Sequence, residues 1–184
     1  MVLYHGSSVG GINVLLPNIS EHKEPYIYFS TNSVVAAFYM VHVVERPFNW
    51  FPYGFNEKGV PVYTEYYPKA IEDVYSGKQG FLYECYNVSN INNPTNINCA
   101  YTCKDPVTVD NCIVFNDIYD KFMEFEKNGE LIIEKFETLS EKELAFAHKY
   151  LQNLIIENNL KNKPNNSQSQ LILRHFPKVW EATL

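Results

Sequence analysis

Arginine is almost missing from this chain: Arg46 and Arg174 are the only two in 184 residues that carry a net charge of −6. Gripping a nucleic-acid backbone needs a cationic stripe, with guanidinium forks for bidentate phosphate contacts. No such stripe exists, which excludes nucleic acid as the main partner. Long hydrophobic runs are lacking too. No apolar stretch reaches the ~18 residues of a membrane-spanning helix, and no basic region followed by an apolar one marks a secretory signal. Cysteine is scarce, with Cys85, Cys99, Cys103 and Cys112 alone. That is too few for a disulfide scaffold and predicts reduced thiols in a cytoplasmic protein. Cys99 and Cys103 are four apart, but no second pair completes a tetrahedral zinc site, so no metal is expected. A nucleophile elbow, a phosphate loop ending in Lys-Ser/Thr and a G-x-G-x-x-G turn are all absent. A hydrolase of that kind, a P-loop enzyme and a doubly wound dehydrogenase are thereby disfavoured.

What the chain does have is apolar and aromatic residues, 46% and 15% of the total. That suits one compact domain, alone or with a small appendage, whose core or groove is aromatic. Val2 to Tyr4 reads as a strand that opens into a loop at His5-Gly6-Ser7-Ser8. Tyr26 to Phe29 reads as a second strand, closed by Ser30-Thr31-Asn32, which caps a helix from about Ser33 to Val44. Residues 46–67 form an aromatic-rich irregular stretch, and Pro68 and Gly77 bracket a short helix. Phe81 to Val88 is a strand, and Cys112 to Phe115 is a buried-looking one. A helix follows from Asn116 or Asp117 to Lys127, ended by Asn128-Gly129. Leu131 to Phe136 alternates as a strand. Ser140 and Glu143 form a capping box before a helix with Leu144, Ala147, Leu151, Leu154 and Ile155 on one face. A last helix begins near Ser167 and stops before Pro177. The expected class is α+β.

Alone, His5-Gly6-Ser7 at a strand end and Tyr28 in an apolar strand say little, since both read equally as structure. Together they say more. Leu3-Tyr4-His5-Gly6-Ser7, followed some twenty residues on by Tyr26-Ile27-Tyr28-Phe29-Ser30-Thr31 and an alanine-containing helix, resembles the ADP-ribosyltransferase superfamily. The likeness is to its His-Tyr-Glu branch, which includes diphtheria toxin and the poly(ADP-ribose) polymerases. It covers roughly residues 2–42, and extends more faintly to Phe81–Val88 and Val107–Phe122. It implies a split β-sheet core with flanking helices over residues 1–137, an aromatic-rich insertion at 46–79, and a helical C-terminal extension over 138–184.

The resemblance also implies a site for NAD as substrate. His5 would bond a ribose hydroxyl, Gly6 would offer its backbone to the carboxamide, and Tyr28 would stack on the nicotinamide. Ser7 would lie beside the dinucleotide, and Ser30 would support the pocket floor. The imidazole and the phenol would then converge on one cleft. The family's third residue, a Glu, falls on Asn111, with Asp110 before it. Asn111 can hydrogen-bond a hydroxyl but carries no charge, and Asp110 would substitute only in a shifted register. Glu84 is another strand carboxylate, at a position no family motif claims. The implied activity is mono-ADP-ribosyl transfer or NAD hydrolysis, with a protein or small molecule as acceptor. Tyr101 and Lys104 lie where acceptor-recognition residues would be. The aromatic stretch is an inserted loop, a lid or a platform. A catalytically inactive NAD- or ADP-ribose-binding module, or a plain interaction module, is the alternative. An RNA 2′-phosphotransferase would need more cations.

Overall fold

A computed structural model of the chain describes residues 1–19, 24–41, 53–95 and 97–183. In chain order the elements are β1 (Val2–Ser7), β2 (Val14–Leu15), β3 (Asn18–Ile19), β4 (Pro25–Ser30), α1 (Ser33–Ala37), β5 (Tyr53–Phe55), β6 (Pro61–Thr64), α2 (Ala70–Tyr75), β7 (Gly80–Tyr86), β8 (Ala100–Cys103), β9 (Val107–Thr108), β10 (Asn111–Phe115), α3 (Ile118–Lys127), β11 (Ile132–Glu134), α4 (Glu141–Glu157), α5 (Ser167–His175) and α6 (Pro177–Ala182). The fold class is α+β.

Packing divides the chain into two units, Met1–Val41 with Tyr75–Glu130, and His42–Val74 with Leu131–Leu184. This differs from the expected division at 137/138. The cause is pairing: β11 lies parallel to β6, with Ile133 opposite Tyr63, and Tyr67 and Ala70 share a core with Leu151, Ile155 and Ile172. Most of the aromatic-rich segment therefore belongs with the C-terminal helices.

The first unit is built on an antiparallel sheet ordered β10–β7–β1–β4–β3, with β8 also paired to β4. β1 continues through His5, Gly6 and Ser7, where a loop was expected, because these residues pair with Tyr83, Leu82 and Phe81 of β7. Alternation then sorts the side chains onto two faces. One face carries Leu3, Ile27, Phe29, Cys85 and Cys103, buried together with Leu15 and Val107. The other is covered at one end by α1 and the turn after it. A Cβ on Gly6 would lie 1.9 Å from the Ala36 carbonyl oxygen, and one on Gly80 would lie 2.5 Å from Met40 Sδ. Both glycines are there so that backbone can approach backbone or side chain closely.

Asn32 caps α1 by accepting from the Val35 amide. The helix is shorter than expected: it tightens into a 3-10 turn over Phe38–Met40, and Val41 is extended. The rest of the span expected to reach Val44 lies outside the described residues. α3 matches its sequence signals, with Asp117 accepting from two first-turn amides, Lys127 in the last turn and a positive-φ Gly129 just beyond. β10 is not buried as expected. It is a sheet edge, with Ile113 and Val114 39% and 48% exposed and only Phe115 buried.

In the second unit, residues 53–64 are a hairpin and not an irregular stretch. Asn56 makes the turn by accepting from the Lys58 and Val60 amides through its side chain. Gly59 completes it at a φ of 75°. Phe48, Trp50 and Phe51 lie outside the described residues. α2 starts two residues after Pro68, since Lys69 sits at a φ of 59° and cannot be helical. The buried Glu65 accepts from the Ile71 amide at its first turn. The Ser140–Glu143 capping box forms as expected, and Ala147, Leu151, Leu154 and Ile155 are the buried stripe of α4. Pro177 does not end the helical tail. It starts α6 from a first-turn position.

Candidate active site

β1 and β4, the strands bearing His5 and Tyr28, are neighbours, with Tyr4 opposite Ser30. That single pair fixes the parity of everything else. Across an antiparallel pair, opposed residues share a face, and so do residues two apart along a strand. His5 therefore shares a face with Phe29, and its ring meets Phe29 edge-on at 6.1 Å and Tyr83 at 6.5 Å. Tyr28 lies on the opposite face, with Ser30 and Tyr4, and packs edge-on against Tyr26 at 6.0 Å. The two rings do not converge on one cleft.

What joins His5 to Tyr28 is backbone. His5 Nδ1 lies 2.8 Å from the Tyr28 carbonyl oxygen. A carbonyl only accepts, so Nδ1 carries the proton. Burial lowers the His5 pKa and the carbonyl contact partly offsets this, so the ring is neutral at pH 7. The side of the sheet that His5 faces is closed further along by the segment after β1. Tyr83 donates its hydroxyl to the Val9 carbonyl and accepts from the Ile12 amide. The Ser7 hydroxyl accepts from Val9 in that same segment. Ser7 thus ties a turn, Gly6 accommodates α1, and the Ser30 hydroxyl accepts from the Asn32 amide at the head of α1. Ser30 is 4% exposed.

The Tyr28 face carries a row that sequence reasoning missed. Ser30 opposes Tyr4, Tyr4 opposes Glu84, and Glu84 opposes Asn111, across β4, β1, β7 and β10. Glu84 Oε2 accepts from Asn111 Nδ2 at 2.8 Å and from the Tyr86 hydroxyl at 3.0 Å. The hydroxyl's bond to Glu84 raises the Tyr86 pKa, since ionising it would set two anions together. The one available signal was a lone carboxylate within an otherwise apolar and aromatic strand. Beside Tyr28, Thr102 of β8 is its cross-strand partner. Its buried hydroxyl has no hydrogen-bond partner among the described residues.

Asp110 is not part of this row. Its carboxylate accepts from the Tyr86 amide at 2.7 Å, and its own amide donates to the Glu84 carbonyl. With burial, it pushes the Cys85 thiol up to about 11. Asp110 lines a cavity of about 240 Å³ with Tyr86, Cys103, Asp105 and Thr108. That volume falls below the ~300 Å³ at which pockets for drug-sized ligands begin, and neither His5 nor Tyr28 lines it. The shifted register that would put Asp110 in place of Asn111 does not occur. Of the two residues placed where an acceptor would be recognised, Tyr101 lies in β8 and Lys104 in the exposed bend that follows it. Tyr101 pairs with Phe29 within β8, and Lys104 is bonded to Glu24.

No family model, no curated protein and no solved structure matches this chain. Among the described residues no helix is long and apolar enough to cross a membrane.

Proposed function

We propose that the chain binds NAD on the sheet face bearing Tyr28, Ser30 and Tyr4, and breaks its nicotinamide–ribose bond. ADP-ribose then passes to a protein or small-molecule acceptor, or to water. The observation that carries this reading is the side-by-side placement of β1 and β4, tied by His5 to the Tyr28 carbonyl. Neighbouring strands for the two motifs suit the resemblance to the ADP-ribosyltransferases, although His5 and Tyr28 face opposite sides of the sheet, where the resemblance implies one cleft. Tyr28 offers a planar surface for the nicotinamide at small entropic cost. Ser30, buried and bonded to the head of α1, keeps that strand end rigid, and holding the ring still while charge develops on the sugar is where much of the rate would come from. His5 acts from the other face, as the clip between the two strands. The reading is tested by incubating the protein with labelled NAD, alone and with cell extract, and following free nicotinamide and transferred label. Absence of both, with no stabilisation by NAD in a thermal melt, would refute it.

A second reading, an NAD- or ADP-ribose-binding module without turnover, draws on the neutral amide at Asn111. Stabilisation by NAD without nicotinamide release selects it.

A further inference from the structure

We propose that β10 is a docking edge for a second copy of this chain: two β10 strands pair antiparallel on a two-fold axis at Ile113. The contact is independent of the NAD reading above.

The first observation is an edge left open. A strand at the end of a sheet turns the amide and carbonyl of every second residue outward, ready to pair with another strand. Proteins blunt such edges by keeping them short, by placing charge or proline on them, or by covering them. The other described edges follow that rule. β2, β3 and β9 have two residues each, and β5 and β11 have three, with Glu134 in β11. β8 is covered on its outer side, where Asn92 exchanges both backbone bonds with Thr102. β10 is the longest of them. Its five residues include neither proline nor charge, and all but Phe115 are exposed. Ile113 and Val114, 39% and 48% exposed, offer apolar surface on both faces of the strand.

The second observation is that this edge is complementary to itself. Outward-turned residues must meet outward-turned residues, so the axis between two identical antiparallel edges passes through a residue and never between two. That excludes an axis between Ile113 and Val114, the register that would set Asp110 against Asp117. An axis at Cys112 or Val114 matches only residues 111–113 or 113–115 within the strand. At Ile113 the whole strand is matched: Ile113 with its own copy, Cys112 with Val114, and Asn111 with Phe115. Just beyond the strand Asp110 then meets Asn116, and Asp117 meets Val109. No carboxylate faces another, although each copy carries a net charge of −6. Five residues a side fall well short of the ~20–30 of a standard interface. The dimer is therefore weak and reversible, in the micromolar range.

The test is sedimentation velocity of the full chain between about 1 and 300 µM, with two variants beside it. The parent should pass from monomer to dimer across that series. Ile113→Lys sets two ammonium groups face to face on the axis and should weaken the dimer at least about 10-fold. Its melting temperature should stay with the parent's, because Ile113 is exposed. Ile113→Cys, in a Cys112→Ser background, should form a disulfide with its own copy under mild oxidation. Residues opposed across the axis have Cα atoms ~4.5–5.5 Å apart, within the span of a disulfide. Cys112→Ser alone should stay unlinked. The cross-link reads the same contact should Ile113→Lys fail to fold. A parent that stays monomeric throughout overturns the proposal and leaves the edge to an extended segment of another protein. A parent dimer that Ile113→Lys leaves intact overturns it too, as does oxidation that links parent chains through Cys112 and fails to link the Ile113→Cys protein.

Discussion

The His5 ring reaches Tyr28 through its backbone, with Nδ1 donating to the Tyr28 carbonyl oxygen at 2.8 Å. The bond bridges β1 and β4 where their ladder has a single residue pair, Tyr4 with Ser30. Burial lowers the His5 pKa in the folded protein, so the unfolded chain binds the proton more readily. The stabilising contribution is therefore present above the ordinary histidine value near 6.5 and is lost as pH falls through the depressed folded value. Melting temperature should fall between pH 7 and pH 5, and fall less in His5→Gln. His175, also lowered mainly by burial, contributes in the same window, so the comparison is made in a His175→Gln background. An equal fall with and without His5 would contradict this.

Gly6 offers a sharper separation of packing from ligand binding. The Cβ of an alanine there would stand 1.9 Å from the Ala36 carbonyl oxygen and 2.9 Å from its carbon. Both are backbone atoms that can move only if α1 does. Gly6→Ala should destabilise the protein by about 3 kcal/mol in the absence of any ligand, read from urea unfolding. A stable Gly6→Ala protein with weakened NAD binding would instead give the glycine back to the ligand.

The strands around the site were legible in sequence and their registers were not. Val2–Tyr4, Tyr26–Phe29 and the 81–88 run are compact apolar segments, and each falls on a strand, although β7 stops at Tyr86 because Asn87 takes a φ of 56°. Asp117, Ser140 and Gly129 mark helix ends because capping is local chemistry. Whether His5 and Tyr28 share a face depends on Tyr4 meeting Ser30 and not the residue beside it. A slip of one residue reverses the answer, and nothing local to either strand encodes the choice. Glu84 stood out as a strand carboxylate, but its pairing escaped for the same reason: its partner Asn111 lies 27 positions away, and only the β7–β10 register joins them. The two-residue strands β2, β3 and β9 carry too few side chains to show a period. The grouping of 53–64 with the C-terminal helices rests on a parallel β6–β11 pairing that no sequence signal announces.

Thr102 tests whether the Tyr28 face is built for a ligand. Its side chain is 3% exposed, and its hydroxyl has no partner among the described residues. Removing an unsatisfied buried hydroxyl while keeping shape is neutral or stabilising. Thr102→Val should therefore raise stability of the free protein by about 1 kcal/mol and at the same time reduce stabilisation by NAD. The two opposite signs come from one substitution, measured by thermal melts with and without the dinucleotide. A loss of stability in the free protein would show that the hydroxyl is already satisfied.

In the second unit, three side chains converge on Asp73: the Tyr67 hydroxyl at 2.9 Å, Arg174 at 3.2 Å and His175 at 3.3 Å. Tyr67 and His175 also stack, with ring centroids 3.9 Å apart. Burial decides which of these contacts matters. Arg174 is 71% exposed, and a guanidinium in water gains little from such a pair, about 0–1 kcal/mol. Tyr67 is 3% exposed, so losing its acceptor would strand a buried hydroxyl, at about 1–3 kcal/mol. Asp73→Ala should therefore cost about 2 kcal/mol, and Arg174→Ala under about 1 kcal/mol. Combining Asp73→Ala with Tyr67→Phe should recover part of the loss, because the stranded hydroxyl is gone. Denaturant unfolding of the three variants measures this, and a double variant no more stable than Asp73→Ala would show that the ion pair, and not the tyrosine, is what Asp73 serves.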